Sequence, residues 1–322
     1  MTLALVICVR DDQRNLDRLL TQALQLGIFE QIVIVDDASR IPVRLQFDCM
    51  GPCRCPITLL RHRAPRGAGA ARNAGLELVR TDHMIFFDSD DLFTKEIIDL
   101  WNDLRGQQFD FCVMRYQDSE RGHFGGIGQT LYDEACWLRA GCVSAAPRRV
   151  GRDAIWSLAE ANNFPWNKIY RTRFLRANAI RCTETRVHND IELHWRSFAA
   201  ARRIFVSTRL GAIHVVRPGG DRLTNQNDAA RLDLFSALRP ASDAVMHDDD
   251  DAPKLAFLRF SAGILTWGER VIAPDLRDAF AARRQQFLRS ILTIDLYEAV
   301  LQKDPVLALR LMLMIAPETA KC

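Results

Sequence analysis

Met84-Ile85-Phe86-Phe87-Asp88-Ser89-Asp90-Asp91 is the stretch that decides the fold. The chain is apolar and of strand length up to Phe87, and three carboxylates follow at once. Such a run, bounded by a polar cluster, predicts a central strand in a sheet covered on both faces. Ligand sites in open α/β sheets lie beyond the carboxyl ends of their strands. Three acidic side chains crowded there repel one another, and a hard divalent cation with oxygen ligands is the simplest remedy. Mg²⁺ or Mn²⁺ in that setting keeps positions open for phosphate oxygens. The stretch points to a metal–diphosphate site on Asp88, Asp90 and Asp91.

Outward from this strand, residues 3–9, 31–35 and 57–60 read as further strands. Helical spacing of apolar residues runs through 13–26 and 68–79, and Thr94 opens a helix reaching about 104. Strands alternating with helices predict a parallel sheet with helices on both faces. Beyond 116 the pattern loosens. Residues 122–128, rich in glycine, read as a loop. Helices are expected at 128–139, 152–162, 171–178 and 190–202, and strands at 203–206 and 211–216. After Gly219 the chain turns helical, at 228–246, 254–271, 276–292 and 306–315. The acidic run 248–251 reads as a solvated link between helices. The expected division is 1–218, with halves 1–110 and 111–218, followed by a helical region 219–322.

The 322 residues are 48% hydrophobic with a formal net charge of +3, so nothing suggests nucleic acid as a partner. Nine cysteines at irregular spacing do not form a disulfide framework; reduced thiols in a cytoplasmic protein fit them better. Cys49, Cys53 and Cys55 cluster, but only His62 is near enough to complete a zinc site, so a loop with incidental thiols is preferred. The apolar segment 3–9 lacks the basic leader of a signal peptide. No window reaches the ~18 apolar residues of a membrane span. Residues 305–317 are the most apolar, but Arg310 interrupts them. A helix packed on the body is expected, with association at the inner face of the membrane left open.

Asp36 and Asp37 end the second strand as Asp88, Asp90 and Asp91 end the fourth. A carboxylate there accepts hydrogen bonds from ribose or a base N–H, or else simply caps a turn with Ser39. Residues 66–75, rich in Gly and Ala, open a helix. Small residues allow close approach, and a helix N-terminus favours anions. Within that helix Arg72 is expected to reach a phosphate or a uracil carbonyl while its small neighbours do the packing. Strand one is followed by Arg10-Asp11-Asp12-Gln13, so the dinucleotide fingerprint G-x-G-x-x-G is missing where it would have to be.

Taken together, the first 110 residues resemble the family-2 glycosyltransferases of the GT-A fold. Cys8-Val9-Arg10-Asp11-Asp12 stands at the family's first strand-end motif, and Val35-Asp36-Asp37-Ala38-Ser39 at its nucleoside-binding motif. Gly69 to Gly75 matches G-x-x-x-A-R-N-x-G in near register, and Phe87-Asp88-Ser89-Asp90-Asp91 matches the D-x-D metal motif. Trp166-Asn167-Lys168-Ile169-Tyr170 resembles the W-N-K-x-Y segment of bacterial members. His188-Asn189-Asp190 falls where the family has Glu-Asp, with Asn189 replacing the Glu.

The resemblance implies an α/β GT-A sheet with helices on both faces and a C-terminal helical extension. It implies donor binding by Cys8, Val9, Asp11, Asp37, Arg72, Asp88, Ser89, Asp90 and Arg217, and Mn²⁺ or Mg²⁺ held by Asp90 with Asp88, Asp91 and His214. Asp190 is implied as the catalytic base, which fits the need of an inverting transfer for one proton-accepting carboxylate; its rival role is to cap the following helix. The expected reaction moves a sugar from a nucleotide donor, uridine by resemblance, to a saccharide or lipid-linked acceptor in bacterial surface polysaccharide synthesis. The C-terminal helices would shape the acceptor site or pair subunits. Two alternatives stand beside it. A haloacid-dehalogenase-type phosphatase also places D-x-D after a strand, but wants Thr where this chain has Leu92. The other is a sugar-nucleotide-binding protein without transfer activity, for which Asn189 is the only hint.

Overall fold

β1 (Leu3–Val9), β2 (Gln31–Asp36) and β3 (Ile57–Arg61) lie side by side and parallel, and β4 (His83–Asp88) runs parallel to β1 on its other side. The structure is a computed structural model and describes residues 1–45, 55–120, 128–216 and 227–316. Alternation within the buried strands sends their side chains to two cores. Leu5, Ile7, Ile34, Ile85 and Phe87 pack with Leu16, Leu19 and Leu20 of α1 (Gln13–Leu26) and Trp101 of α3 (Glu96–Leu104). Val6, Val33, Val35 and Phe86 pack on the other face with Ala71 and Leu76 of α2 (Ala68–Leu78).

The sheet is mixed past β4, where a parallel sheet was expected. The strand order is β3-β2-β1-β4, then β8 (Lys168–Arg171), β6 (Phe111–Asp118), β9 (Ile204–His214) and β5 (Leu92–Phe93), with β7 (Arg148–Arg149) pairing β9. β8 (Lys168–Arg171) runs antiparallel to both β4 and β6 (Phe111–Asp118). β5 (Leu92–Phe93) is a two-residue strand, too short to leave a periodic signal in sequence. The two strands expected at 203–206 and 211–216 are one, β9 (Ile204–His214). Polar Ser207, Thr208 and Arg209 interrupt its apolar pattern, and register shifts around Met114 to Tyr116 absorb them in the pairing with β6. The expected loop 122–128 lies almost wholly outside the described residues, as do Cys49, Cys53 and Arg217.

The second half supplies α4 (Leu131–Arg139), α5 (Arg152–Ala159), α6 (Thr172–Ala177) and α7 (Ile191–Ala200). After a 3-10 turn at Ala229–Leu232 come α8 (Asp233–Val245), α9 (Asp251–Val271), α10 (Arg277–Ile291), α11 (Ile294–Lys303) and α12 (Pro305–Ile315). α9 starts three residues earlier than the sequence suggested, because the Asp250 carboxylate accepts from the Ala252 N–H at 3.0 Å. The acidic run is therefore a cap as much as a link. α11 was not among the expected helices; it buries Val300 fully and packs Leu296 and Tyr297 on the core. Arg310, which breaks the apolar run of α12, donates to Ala262 O (2.8 Å) and Thr266 Oγ1 (2.7 Å) of α9.

These helices extend the α2-side core. Trp195 of α7 lies edge-on to Phe257 (5.0 Å between ring centres) and beside Phe260 (5.2 Å) of α9. Leu234, Leu238 and Ala241 of α8 are fully buried in the same cluster as Ile191 and Phe198 of α7. Among the described residues no helix is long and apolar enough to cross a membrane, and no described cysteine is in a disulfide.

Candidate active site

Two loops at the carboxyl ends of β1 and β2 interlock. Asp11 and Ala38, both at positive φ (54° and 56°), bring the turns together. Non-glycine residues held there mark a turn that the surroundings must impose. The Asp11 N–H donates to Ser39 Oγ (2.9 Å), and the Arg40 N–H donates to Asp11 Oδ1 (2.7 Å). Val9 O accepts from the Asp37 N–H at 2.9 Å. Cys8 follows the β4 register to Asp88, and burial pushes its thiol pKa well up, so it stays a neutral thiol.

The paired aspartates divide their work. Asp36, 1% exposed, accepts from the N–H groups of Ser39 and Val43 and from Arg61, which fixes the turn. Asp37 accepts from His62 Nδ1 and from the N–H groups of Arg66 and Gly67, each at 2.8 Å. Burial opposes the charge of each aspartate, but the hydrogen bonds prevail and lower both pKa values. Asp37 therefore anchors the loop that leads into α2, and any nucleoside contact must use a remaining lone pair.

α2 then delivers two polar side chains. Asn73 donates to Cys182 O and accepts from the Cys182 N–H, both at 2.9 Å, which pins the segment before α7. Arg72, 5% exposed, donates to Asp88 Oδ1 at 2.6 Å and to Asn189 Oδ1 at 2.5 Å. Burial works against this guanidinium, but Asp88, Cys182, Cys8 and Asp190 together outweigh it and its pKa is raised. Arg72 thus joins the D-x-D motif to the residue before Asp190, and part of the positive charge that the carboxylate cluster needs comes from the protein itself.

The small residues of α2 are required by that contact. A Cβ at Gly69 would overlap the Thr183 carbonyl oxygen and come within 2.9 Å of Asn189 Cβ. A Cβ at Gly75 would overlap Val6. Gly69→Ala should lower stability by about 1–3 kcal/mol, read from the urea midpoint, and should displace the 183–190 segment. A variant as stable as the parent would show that this segment yields easily.

The D-x-D residues occupy different environments. Ser89 Oγ donates to Asp12 Oδ2 at 3.1 Å. Asp91, 2% exposed, accepts from the Val215 N–H at 2.9 Å, fastening the end of β9. Asp90 is half-buried, and its carbonyl accepts from Arg18 at 2.7 Å. His214 ends β9 with Nδ1 3.0 Å from Asp118 Oδ2, its ring stacked on Trp166 at 5.6 Å. Among the described residues no group of three His, Cys, Asp or Glu side chains forms a ready-made metal cage.

Asp190 stands at the N-terminal boundary of α7 with helical backbone angles and no side-chain cap bond, so the capping role is not the one realised. Burial pushes its carboxyl up to about 6, against the opposing charges of Arg72 and Lys168. Lys168, 1% exposed, donates to Phe164 O and Asn167 Oδ1 at 2.7 Å each, and burial lowers its pKa to about 7. Sequence reasoning quoted Lys168 within a motif but gave it no role. Its isolation in an apolar strand was the available signal. It also missed Arg231, which lies over the Trp267 ring (4.7 Å) with Nη1 3.2 Å from His188 Nε2. His188, at φ 59°, is two residues from Asp190.

The family described as Glycosyl transferase family 2 matches residues 4–176, more than half of the chain. The chain belongs to glycosyl transferase family 2. A pre-mycofactocin glycosyltransferase of Mycobacterium tuberculosis is 40% identical over 85 residues, which is 26% of this chain and 17% of that protein. The putative glycosyltransferase EpsH of Bacillus subtilis is 25% identical over 123 residues, 37% of this chain and 32% of EpsH. The chain thus matches about a third or less of these curated relatives' lengths, 32% of one and 17% of the other. Among solved structures, S. aureus TarS 1–349 in complex with UDP-GlcNAc superposes with a TM-score of 0.74 at 18% identity, covering 98% of this chain and 88% of TarS 1–349. The mannosyltransferase PcManGT from Pyrobaculum calidifontis, in complex with GDP-Man and Mn²⁺, gives 0.53 at 14% identity, covering 97% and 85%. These likenesses establish the fold: an α/β sheet of the family's type with a helical C-terminal region.

Proposed function

We propose that the chain is an inverting, cation-dependent glycosyltransferase that uses a UDP-sugar donor and a saccharide or lipid-linked acceptor. The observation that carries this reading is Asp190: a carboxylate with no capping role, raised to about 6, facing the Arg72–Asp88 pair beyond the β4 end. A base poised near neutrality suits removal of a hydroxyl proton. In a single displacement the acceptor oxygen bonds to the anomeric carbon as the carbon–oxygen bond to UDP breaks. Asp190 takes the acceptor proton. Family membership disfavours the phosphatase alternative. A donor-binding protein without transfer remains the second reading, since Asn189 stands where the family has Glu.

The donor set suits a hard cation. Asp88, Asp90 and Asp91 gather at one strand end, and one or two carboxylates completed by diphosphate oxygens are the way Mg²⁺ is commonly bound. Asp90 would hold the ion, helped by Asp88 or Asp91. The Nδ1–Asp118 pairing of His214 is the arrangement that orients a ligating imidazole. When bound, the cation would supply charge neutralisation to the leaving diphosphate. Cys8, Val9, Asp11, Asp37 and Ser89 line the same end of the sheet and are proposed to form the donor cradle, with Asp37 nearest a nucleoside role. That PcManGT is described with Mn²⁺ and TarS with UDP-GlcNAc supports the choice of ligands to test.

The test is hydrolysis and transfer across a panel of nucleotide sugars, with Mn²⁺ and with EDTA. UDP should bind more weakly in EDTA by calorimetry, and Asp90→Ala should lose the cation-dependent part. Equal affinity in both media would remove the cation from the mechanism. Donor binding without hydrolysis or transfer across a broad acceptor set would favour the binding-only reading.

A further inference from the structure

The end of the sheet opposite Asp88 carries a cleft of about 650 Å³. It lies where β4 begins at His83 beside the end of β8 at Arg171. β4 separates it from the D-x-D motif by its whole length, about 15–20 Å. Arg80, Arg171, Arg173 and Arg176 line it, with Asp82 as the one acid. Asp82 is spent elsewhere: its Oδ2 accepts from Thr2 N–H (2.9 Å) and Thr2 Oγ1 (3.2 Å) and sits 3.9 Å from the N-terminal ammonium. Arg176 donates to Leu76 O and Val79 O, at 2.7 Å each, and so closes the end of α2 without meeting a carboxylate. Among the described residues, Arg80, Arg171 and Arg173 have no acidic partner. Arg80 and Arg173 are exposed, and Arg171 is half-buried.

The second observation is Thr172. It lines the same cleft, is 3% exposed, and its hydroxyl has no hydrogen-bond partner. A buried hydroxyl left unpaired costs free energy unless a ligand or water supplies the bond. Four like charges gathered in one cleft also raise its free energy until an anion enters. Planar guanidinium groups match phosphate oxygens in pairs. A multiply charged anion suits so many cations better than a single carboxylate does.

We propose that this cleft binds a phosphate-bearing ligand, through Arg80, Arg171 and Arg173 with the Thr172 hydroxyl, at a site separate from the donor site. The phosphate comes either from a soluble phosphorylated molecule or from an anionic lipid headgroup; the chemistry at the arginines is the same. The site does not depend on the proposed transfer activity.

Calorimetry with inorganic phosphate and with inorganic pyrophosphate, in EDTA, covers the soluble source. Co-sedimentation with vesicles of phosphatidylglycerol in phosphatidylcholine, against phosphatidylcholine alone, covers the lipid source. The test variant is Arg80→Ala with Arg173→Ala, since neither side chain holds the fold. Binding to whichever probe the parent takes should fall about tenfold or more, since each charge-assisted bond is worth roughly that factor. Thr172→Val, which keeps the shape, should cost a few-fold. UDP affinity, measured alongside, should stay at the parent value in both variants. Phosphate binding in the parent assigns the soluble source, and vesicle binding alone assigns the headgroup. The proposal is overturned if the parent binds none of the probes, or if the double variant binds them as the parent does.

Discussion

Asp190→Asn should lower transfer by about 10²–10⁴-fold and leave UDP affinity unchanged. The amide keeps the shape but cannot accept the acceptor proton. Because the carboxyl is raised to about 6 in the free protein, kcat/KM in the parent should fall as pH drops below that value and level off above it. The variant's residual rate should lack this limb. Stability gives an independent sign. A carboxyl raised above its ordinary 3.8 holds its proton longer in the folded state than in the unfolded one. The folded state therefore loses stability as pH rises from about 4 to 6, and the charge remains a burden above that window. Asp190→Asn removes the burden, so at pH 8 the variant should unfold no earlier than the parent. Turnover near the parent's would dismiss Asp190 as the base. UDP affinity falling in step with turnover would place it in the donor site instead.

Arg72→Ala should cost about 3 kcal/mol of stability and weaken UDP binding as well. The sequence suggested the opposite for stability, with Arg72 reaching out to ligand from a helix whose small residues do the packing. In the structure its guanidinium is buried between Asp88 and Asn189. Removing it leaves a partly buried carboxylate and a buried amide oxygen without their donor. Arg72→Lys keeps the charge but cannot fork to both partners, so it should fall between. Urea midpoints and UDP calorimetry on the three proteins check this. If the alanine variant is as stable as the parent and only UDP binding suffers, Arg72 serves the ligand and not the framework.

The first four strands and the helices between them were legible because each element announces itself locally. Uninterrupted apolar runs such as 83–87 and the Leu16, Leu19, Leu20 spacing leave little choice. The carboxylates at strand ends were legible for the same reason. What sequence could not carry was pairing. The antiparallel insertion of β8 beside β4 depends on contacts across some 85 residues, and two-residue strands have no period. Within the site, the residue types at Asp88, Asp90, Asp91 and Asp190 were visible, but their partners were not. That Asp91 fastens Val215, or that Arg72 meets Asn189 from 117 positions away, follows only from the fold. Arg217 belongs to the residues on which the structure is silent.

The edge-on packing of Trp195 against Phe257 has a bearing on cooperativity. The helix that begins beside Asp190 is held on its far side by α9, through rings in one uninterrupted apolar cluster that reaches from Val6 to Met314. Small adjoining units that share such a cluster melt together, since neither can expose its side without the other. The helical end is then no detachable appendage. A chain cut after residue 218 would strip Phe257 and Phe260 from Trp195 and loosen the ground on which Asp190 stands. The side chains of α9 are thus part of the footing of the helix whose first turn carries Asp190.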